Sequence, residues 1–300
     1  MRVSVGVPTH RVDLGDEFVS ADGLAEMTRA AEQAGFWAIS VTDHPFPEDT
    51  WMKYGGHFAL DPFSTLAYMG AASTTIKLHT NLLVVAYRNP YLAAHQVATL
   101  DRLSGGRVVL GIGAGYLEPE FQVLGADFEH RNDVTDDAIV KMKEAWTGES
   151  IGGHTMRPTP AQAGGPPIWI GGNSKRAARR AVELAAGWSP FPNGNPKIAA
   201  RTRTTSIMTP DDLKGMVDYC KEHAEKVGRT EPLDIVFMPV SMTMFAGHPE
   251  WTPDVVVEEV HALHEAGMTA MTVTFEADSR RQLLDDLARF GEEVLPRLPE

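Results

Sequence analysis

Short runs dense in β-branched and other apolar residues alternate along the chain with longer stretches whose apolar positions recur at helical spacing. Eight such runs stand out: Arg2–Thr9, Trp37–Asp43, Ile76–Ala86, Arg107–Gly115, Pro167–Gly172, Trp188–Pro192, Leu233–Thr243 and Ala270–Glu276. Near-continuous apolar runs suit parallel strands covered on both faces. A helix is expected after each. Four helices should open on a capping residue followed by proline: Asp61-Pro62, Asn89-Pro90, Thr209-Pro210 and Thr252-Pro253. The capping oxygen takes an orphan N–H, and proline needs none at the first helical position. Six helical stretches end near a glycine, at Gly35, Gly106, Gly148, Gly187, Gly228 and Gly267. Glycine tolerates the left-handed conformation that closes a helix. Leu213, Met216, Val217, Cys220 and Ala224 mark one buried stripe; Leu283, Leu284, Leu287, Phe290 and Val294 mark another.

Eight strand–helix units predict an α/β fold, a (β/α)8 TIM barrel with loop insertions. The rival is a doubly wound sheet, which often carries a glycine-rich phosphate loop after its first strand. Here that turn reads Pro8-Thr9-His10-Arg11, without glycine. No linker rich in Gly, Ser or Pro divides the 300 residues, so 1–300 is expected to be a single domain.

Composition narrows the partners. Lys and Arg number 27 against 40 Asp and Glu, a net charge of −13. That balance argues against non-specific binding to nucleic acid or an anionic membrane surface. The single cysteine excludes an internal disulfide framework and a multi-cysteine metal site. No run at the N-terminus suits a signal peptide, and none is long enough to span a membrane. The expectation is a cytoplasmic protein acting on a small molecule.

In a barrel the chemistry gathers at the strand C-termini. Those ends hold His10, Asp43-His44, Tyr87-Arg88, Gly115-Tyr116 with Glu118, Gly172-Asn173-Ser174, Phe191, Met242 to Met244, and Glu276. A metal-dependent hydrolase would cluster histidines and carboxylates, but strand 1 offers a single His10, so no metal site is expected. A glycosidase needs two carboxylates across a sugar; Glu118 is one, and strand 7 ends without an acid. A Schiff-base lysine is missing from the strand ends. An apolar mouth with small residues, aromatics and one or two histidines suits a planar organic cofactor.

Three strand ends carry the sharpest signals, each with a plainer reading beside it. His44 can exchange protons near neutrality, with Asp43 as a neighbouring carboxylate to orient it; alternatively Asp43 is a cap and His44 an exposed ring. The small residues Gly111 to Gly115 leave room either for neighbours or for a flat ring. The run Gly171-Gly172-Asn173-Ser174 leads into a helix N-terminus, where free N–H groups and a positive dipole attract phosphate; its plainer reading is a capped, tight turn. Two loops are long. Pro45–Leu60 is rich in aromatics and suits a lid. Asn193–Ile207 carries Lys197, Arg201 and Arg203, which suit an anionic ligand tail, as do Lys175, Arg176, Arg179 and Arg180. Cys220 reads as core.

Over most of residues 1–190, and more thinly beyond, the chain resembles the bacterial luciferase-like superfamily, and within it the branch that uses the deazaflavin coenzyme F420. The motifs are GFWAISVTDH, NLLVVAYRNPYLAAHQVATLDRLSGGRVVLGIGAGYLEPEFQVLG and PPIWIGGNSKRAARRAVELAAGW. The resemblance implies a (β/α)8 barrel, usually a homodimer, with the cofactor ring in the mouth. By position, Asp43 and His44 match a pair near the reactive carbon. Asn81-Leu82 matches a place where the family often has a non-prolyl cis peptide backing the ring, and Gly113 and Ala114 of the small-residue run are expected among the cofactor-binding residues. Gly171, Gly172, Asn173, Ser174 and Arg176 match the phosphate loop. One departure stands out: in the sugar-phosphate dehydrogenases of this family a threonine and a glutamate occupy the positions of Ala114 and Tyr116. That weighs against a sugar phosphate and leaves Tyr116 or Glu118 to stand in for the acid. The reading is an oxidoreductase that moves a hydride between F420 and an organic substrate, with His44 handling the proton. The alternatives are an FMN-dependent monooxygenase and a cofactor carrier without catalysis.

Overall fold

The structure is a computed structural model and describes residues 1–53, 56–194, 199, 204–243 and 251–300. Each of the eight runs overlaps one strand, and all but β6, which starts one residue early at Gly187, lie wholly inside their run: β1 Arg2–Gly6, β2 Ala38–Val41, β3 Lys77–Val84, β4 Val108–Gly113, β5 Ile168–Gly171, β6 Gly187–Ser189, β7 Asp234–Phe237 and β8 Ala270–Thr274. Neighbours pair in parallel, and β8 returns to β1 to close the ring. Closure makes this the (β/α)8 barrel and rules out the doubly wound sheet. The strands are shorter than the runs because the last residues of each run leave the ladder to build the mouth. After β7, for example, Pro239 has no N–H to donate, and the chain turns into a short 3-10 helix at Val240–Met242.

Along each strand two sets of side chains alternate. Val3, Val5, Leu110, Ile112, Ile168, Ile170, Met271 and Val273 join the large core between barrel and helices. Val109, Trp169, Val236 and Ala270 form a separate cluster inside the ring. The base of the ring is plugged. Arg2 pairs there with Asp234, its guanidinium lies 5.4 Å from the Trp37 ring and 5.8 Å from the Trp169 ring, and the Trp169 indole donates to Asp234 at 3.1 Å. The opposite end carries small residues and stays open.

Among the described residues the α-helices are α1 Ala21–Gln33, α2 Asp49–Met52, α3 Pro62–Ala71, α4 Pro90–Leu103, α5 Glu118–Val123, α6 Arg131–Trp146, α7 Lys175–Leu184, α8 Pro210–Val227, α9 Pro253–Glu265 and α10 Arg280–Glu293. All four proline-led helices are capped as expected, by Asp61, Asn89, Thr209 and Thr252. Gly35, Gly106, Gly148, Gly228 and Gly267 have positive φ. Gly187 does not close a helix. It opens β6, where a Cβ would lie 2.5 Å from the Trp169 ring. Leu213, Val217 and Cys220 are buried on α8, and Leu283, Leu287 and Phe290 on α10. Burial pushes the Cys220 thiol up to about 12, which leaves it unreactive. No helix among the described residues is long and apolar enough to cross a membrane.

Candidate active site

The strand C-termini enclose a cavity of about 530 Å³, lined among others by His10, Asp43, His44, Asn81, Leu82, Tyr87, Gly113, Tyr116 and Phe191. Small-molecule sites commonly measure roughly 300–1,000 Å³.

His44 sits in this cavity just past β2 and is 7% exposed. Its Nδ1 lies 3.0 Å from Oε2 of Glu120, a fully buried carboxylate on α5. Glu120 also accepts the Phe46 backbone N–H at 3.0 Å and the Tyr87 hydroxyl at 2.8 Å. Burial alone would push this carboxyl up. The bonds from His44, Phe46 and Tyr87 outweigh it and bring Glu120 below its ordinary value. On the other side of the ring, Nε2 lies 3.3 Å from the Tyr116 hydroxyl. The Pro45–Leu60 loop packs over the imidazole, with the Trp51 ring at 4.6 Å and the His57 ring at 4.9 Å. Burial and the neighbouring His44 and His10 bring His57 down to about 3, so it is neutral at pH 7. Tyr54 and Gly55 of that loop lie outside the described residues.

Asp43 does not orient His44. Its carboxylate takes a two-pronged bond from Arg88, at 2.5 and 2.9 Å, and the Val84 N–H at 2.9 Å. A guanidinium fork satisfies both oxygens at once, which leaves Asp43 bound to β3 and not to the imidazole beside it in sequence. Glu120, absent from the sequence reading, holds the ring instead. Its signal was spacing: Glu120 follows Leu117 by three residues and precedes buried Phe121, so it shares their inward face. Glu118, the acid singled out from sequence, is on the exposed side and bonds Gln122.

The Asn81–Leu82 peptide is cis, and the β3–β4 register shifts between Thr80 and Leu83. The small residues of β4 and β5 make room chiefly for a neighbour. A Cβ on Gly171 would lie 2.0 Å from Leu82 Cδ1, and one on Gly113 would lie 3.3 Å from the same atom. Asn81, Leu82 and Gly113 line the cavity, and Ala114 does not.

The strand-5 turn lies beside the cavity, outside its lining. Gly172 has φ +108°, a conformation that side chains rarely adopt. Ser174 caps α7. Buried Asn173 donates to the Phe191 and Thr205 carbonyls and accepts the Phe191 N–H, tying the turn to a residue that does line the cavity. The α7 cations are engaged. Arg176 pairs with Asp133 and Asp136, Arg180 pairs with Asp136, and Arg179 bonds the Tyr219 hydroxyl. Arg176 therefore carries a charge already matched by two carboxylates, whereas Arg179 and exposed Lys175, which lies 5.0 Å from the Tyr219 ring, are held by a neutral side chain. Lys197, Arg201, Arg203 and Met244 lie outside the described residues. No group of three or more His, Cys, Asp or Glu among the described residues is placed to hold a metal ion.

Known proteins agree with this architecture. The family model described as luciferase-like monooxygenase matches residues 1–293. The F420-dependent glucose-6-phosphate dehydrogenase of Nakamurella multipartita is 25% identical over 92% of both chains. The F420-dependent hydroxymycolic acid dehydrogenase of Mycobacterium tuberculosis is 33% identical over 59% of this chain and 51% of its own. Among solved structures, the FMN complex of the oxygenating constituent of 3,6-diketocamphane monooxygenase from Pseudomonas putida superposes with a TM-score of 0.75, at 17% identity, over 100% of this chain and 99% of its own. A family match over nearly the whole chain, on a closed barrel with its chemistry at one mouth, leads to one conclusion: this protein belongs to the luciferase-like family, among relatives that include F420-dependent enzymes.

Proposed function

We propose that the protein is an oxidoreductase that transfers a hydride between coenzyme F420 and a small organic substrate, with FMN-dependent oxygenation as the second reading. The observation that carries it is the histidine at the mouth, fixed through Nδ1 by a buried carboxylate. Hydride transfer to a carbonyl, or from an alcohol, requires a proton at the adjacent oxygen, and a positioned imidazole handles one near neutral pH. F420-dependent relatives support the cofactor.

The residues present fit such a group. The cavity is large enough for a planar ring, and Gly6, Ser40, Gly113 and Ser189 leave space in it. Asn81 and Leu82 would back the ring. Gly171, Gly172, Asn173 and Ser174 would hold its phosphate, where the first-turn N–H groups of α7 have no intrahelical partner. When bound, the deazaflavin supplies the carbon that gives or accepts the hydride. The protein supplies orientation, a place for the proton and exclusion of water. Trp51 and His57 cover the His44 ring, and Glu120 stabilises the imidazolium that proton uptake creates.

Fluorescence titration with F420 and FMN separates the two readings: tighter F420 binding supports hydride transfer, and equal or tighter FMN binding supports oxygenation. His44→Ala is expected to lower kcat about 10²–10⁴-fold with little change in F420 affinity. Wild-type turnover in that variant would remove His44 from the chemistry.

A further inference from the structure

We infer that Tyr116 is the side chain that exchanges the proton with the substrate oxygen, backed by a chain of His44 and Glu120. This rests on the hydride-transfer reading and refines which group meets the substrate.

Donor and acceptor roles follow along the chain. An ionised Glu120 only accepts. Its Oε2 already takes the Tyr87 hydroxyl, so the His44 Nδ1 beside it carries a hydrogen and donates. Whenever the ring is neutral, Nε2 keeps a lone pair, and the Tyr116 hydroxyl at 3.3 Å is its donor. Both ring nitrogens of His44 are thereby occupied, and Trp51 and His57 cover the ring. A substrate oxygen reaches Nε2 only by displacing Tyr116. Tyr116 lines the cavity, and its hydroxyl oxygen, while donating to His44, keeps lone pairs for a substrate hydroxyl. Burial and Glu120 push the Tyr116 hydroxyl up, which keeps it protonated as a donor must be.

The arrangement is a hydroxyl, an imidazole and a carboxylate in series, the order in which a weak acid is made to exchange its proton. In alcohol oxidation the substrate C–H bond would break, its electron pair leaving with the hydrogen as hydride that a bound deazaflavin would accept. The substrate O–H gives its proton to the Tyr116 oxygen while the Tyr116 proton passes to Nε2. The carbonyl forms, and the imidazolium stands against Glu120. Reduction reverses each transfer.

Two readouts test this. In cofactor-free protein labelled with ¹⁵N-histidine, His44 is expected as the Nδ1–H tautomer. Tyr116→Phe should shift its Nε2 resonance and leave Nδ1 in place, whereas Glu120→Gln should shift Nδ1. In turnover, Tyr116→Phe should lower kcat about 10²-fold or more while F420 affinity by fluorescence stays the same. An unmoved Nε2 resonance, or kcat within about twofold of wild type on the scale of general acid–base effects, overturns the proposal. A wild type that binds F420 yet passes no hydride overturns the hydride reading instead. The ¹⁵N spectra of the cofactor-free protein then still decide whether Tyr116 and Glu120 hold His44 between them.

Discussion

Leu82 sits in a socket made by absent side chains. Cβ atoms added at Gly171, Gly111 or Gly113 would come within 2.0, 2.9 and 3.3 Å of its side chain. Gly171→Ala is therefore expected to destabilise the fold by about 1–3 kcal/mol through overpacking. Leu82→Ala opens the same space, so the double variant should recover part of the loss, with a coupling of about 0.5–3 kcal/mol. Denaturant unfolding of the four proteins in the cycle measures it, and strict additivity would show that the two side chains do not meet. At this scale the sequence was half legible. It singled out His44, Asn81, Leu82 and Gly113, which line the cavity, together with Gly111 and Ala114, which do not. It paired Asp43 with His44 because they adjoin in sequence, while the partners that matter, Arg88 and Glu120, arrive from the turn after β3 and from α5. Contacts between residues 76 apart leave no local periodicity to read.

Elements were the most legible level, because strand burial, proline-led caps and glycine stops are local. Some links between elements are not. Glu32, near the end of α1, accepts the backbone N–H groups of Thr74, Thr75 and Ile76 and the Thr75 hydroxyl, which fastens the helix to the start of β3. Burial alone would push this carboxyl up. The bonds from Thr75, Ile76 and Thr74 prevail and bring it down from 4.5 to about 2. A carboxylate lowered in the folded state stabilises the fold fully above its ordinary value and loses that effect as pH falls through the folded value. Glu32→Gln should therefore cost about 1–3 kcal/mol at pH 7, with the difference from wild type shrinking between pH 4.5 and 2. Urea melts of both proteins across that range check it. A penalty that stays constant with pH would mean the charge contributes nothing.

At the scale of the whole molecule, the barrel separates its two ends by composition. Trp37, Trp169, Arg2 and Asp234 fill the base, and the glycine, serine and histidine positions leave the mouth open. The acidic excess of the chain was legible. The fate of Arg176 and Arg180 was not, because Asp133 and Asp136 reach them from α6. The sealed base also bears on timing. A chamber whose base is filled, among the described residues, imposes a queue: the molecule that goes deepest enters first and leaves last. For a ring lying against Leu82 and a substrate stacked above it, arrival and departure acquire a compulsory order. A tight, unreactive substrate mimic should therefore lengthen the residence time of bound F420, as read by stopped-flow fluorescence during displacement. An F420 release rate indifferent to the mimic would mean that the coenzyme has a way out that the substrate does not block.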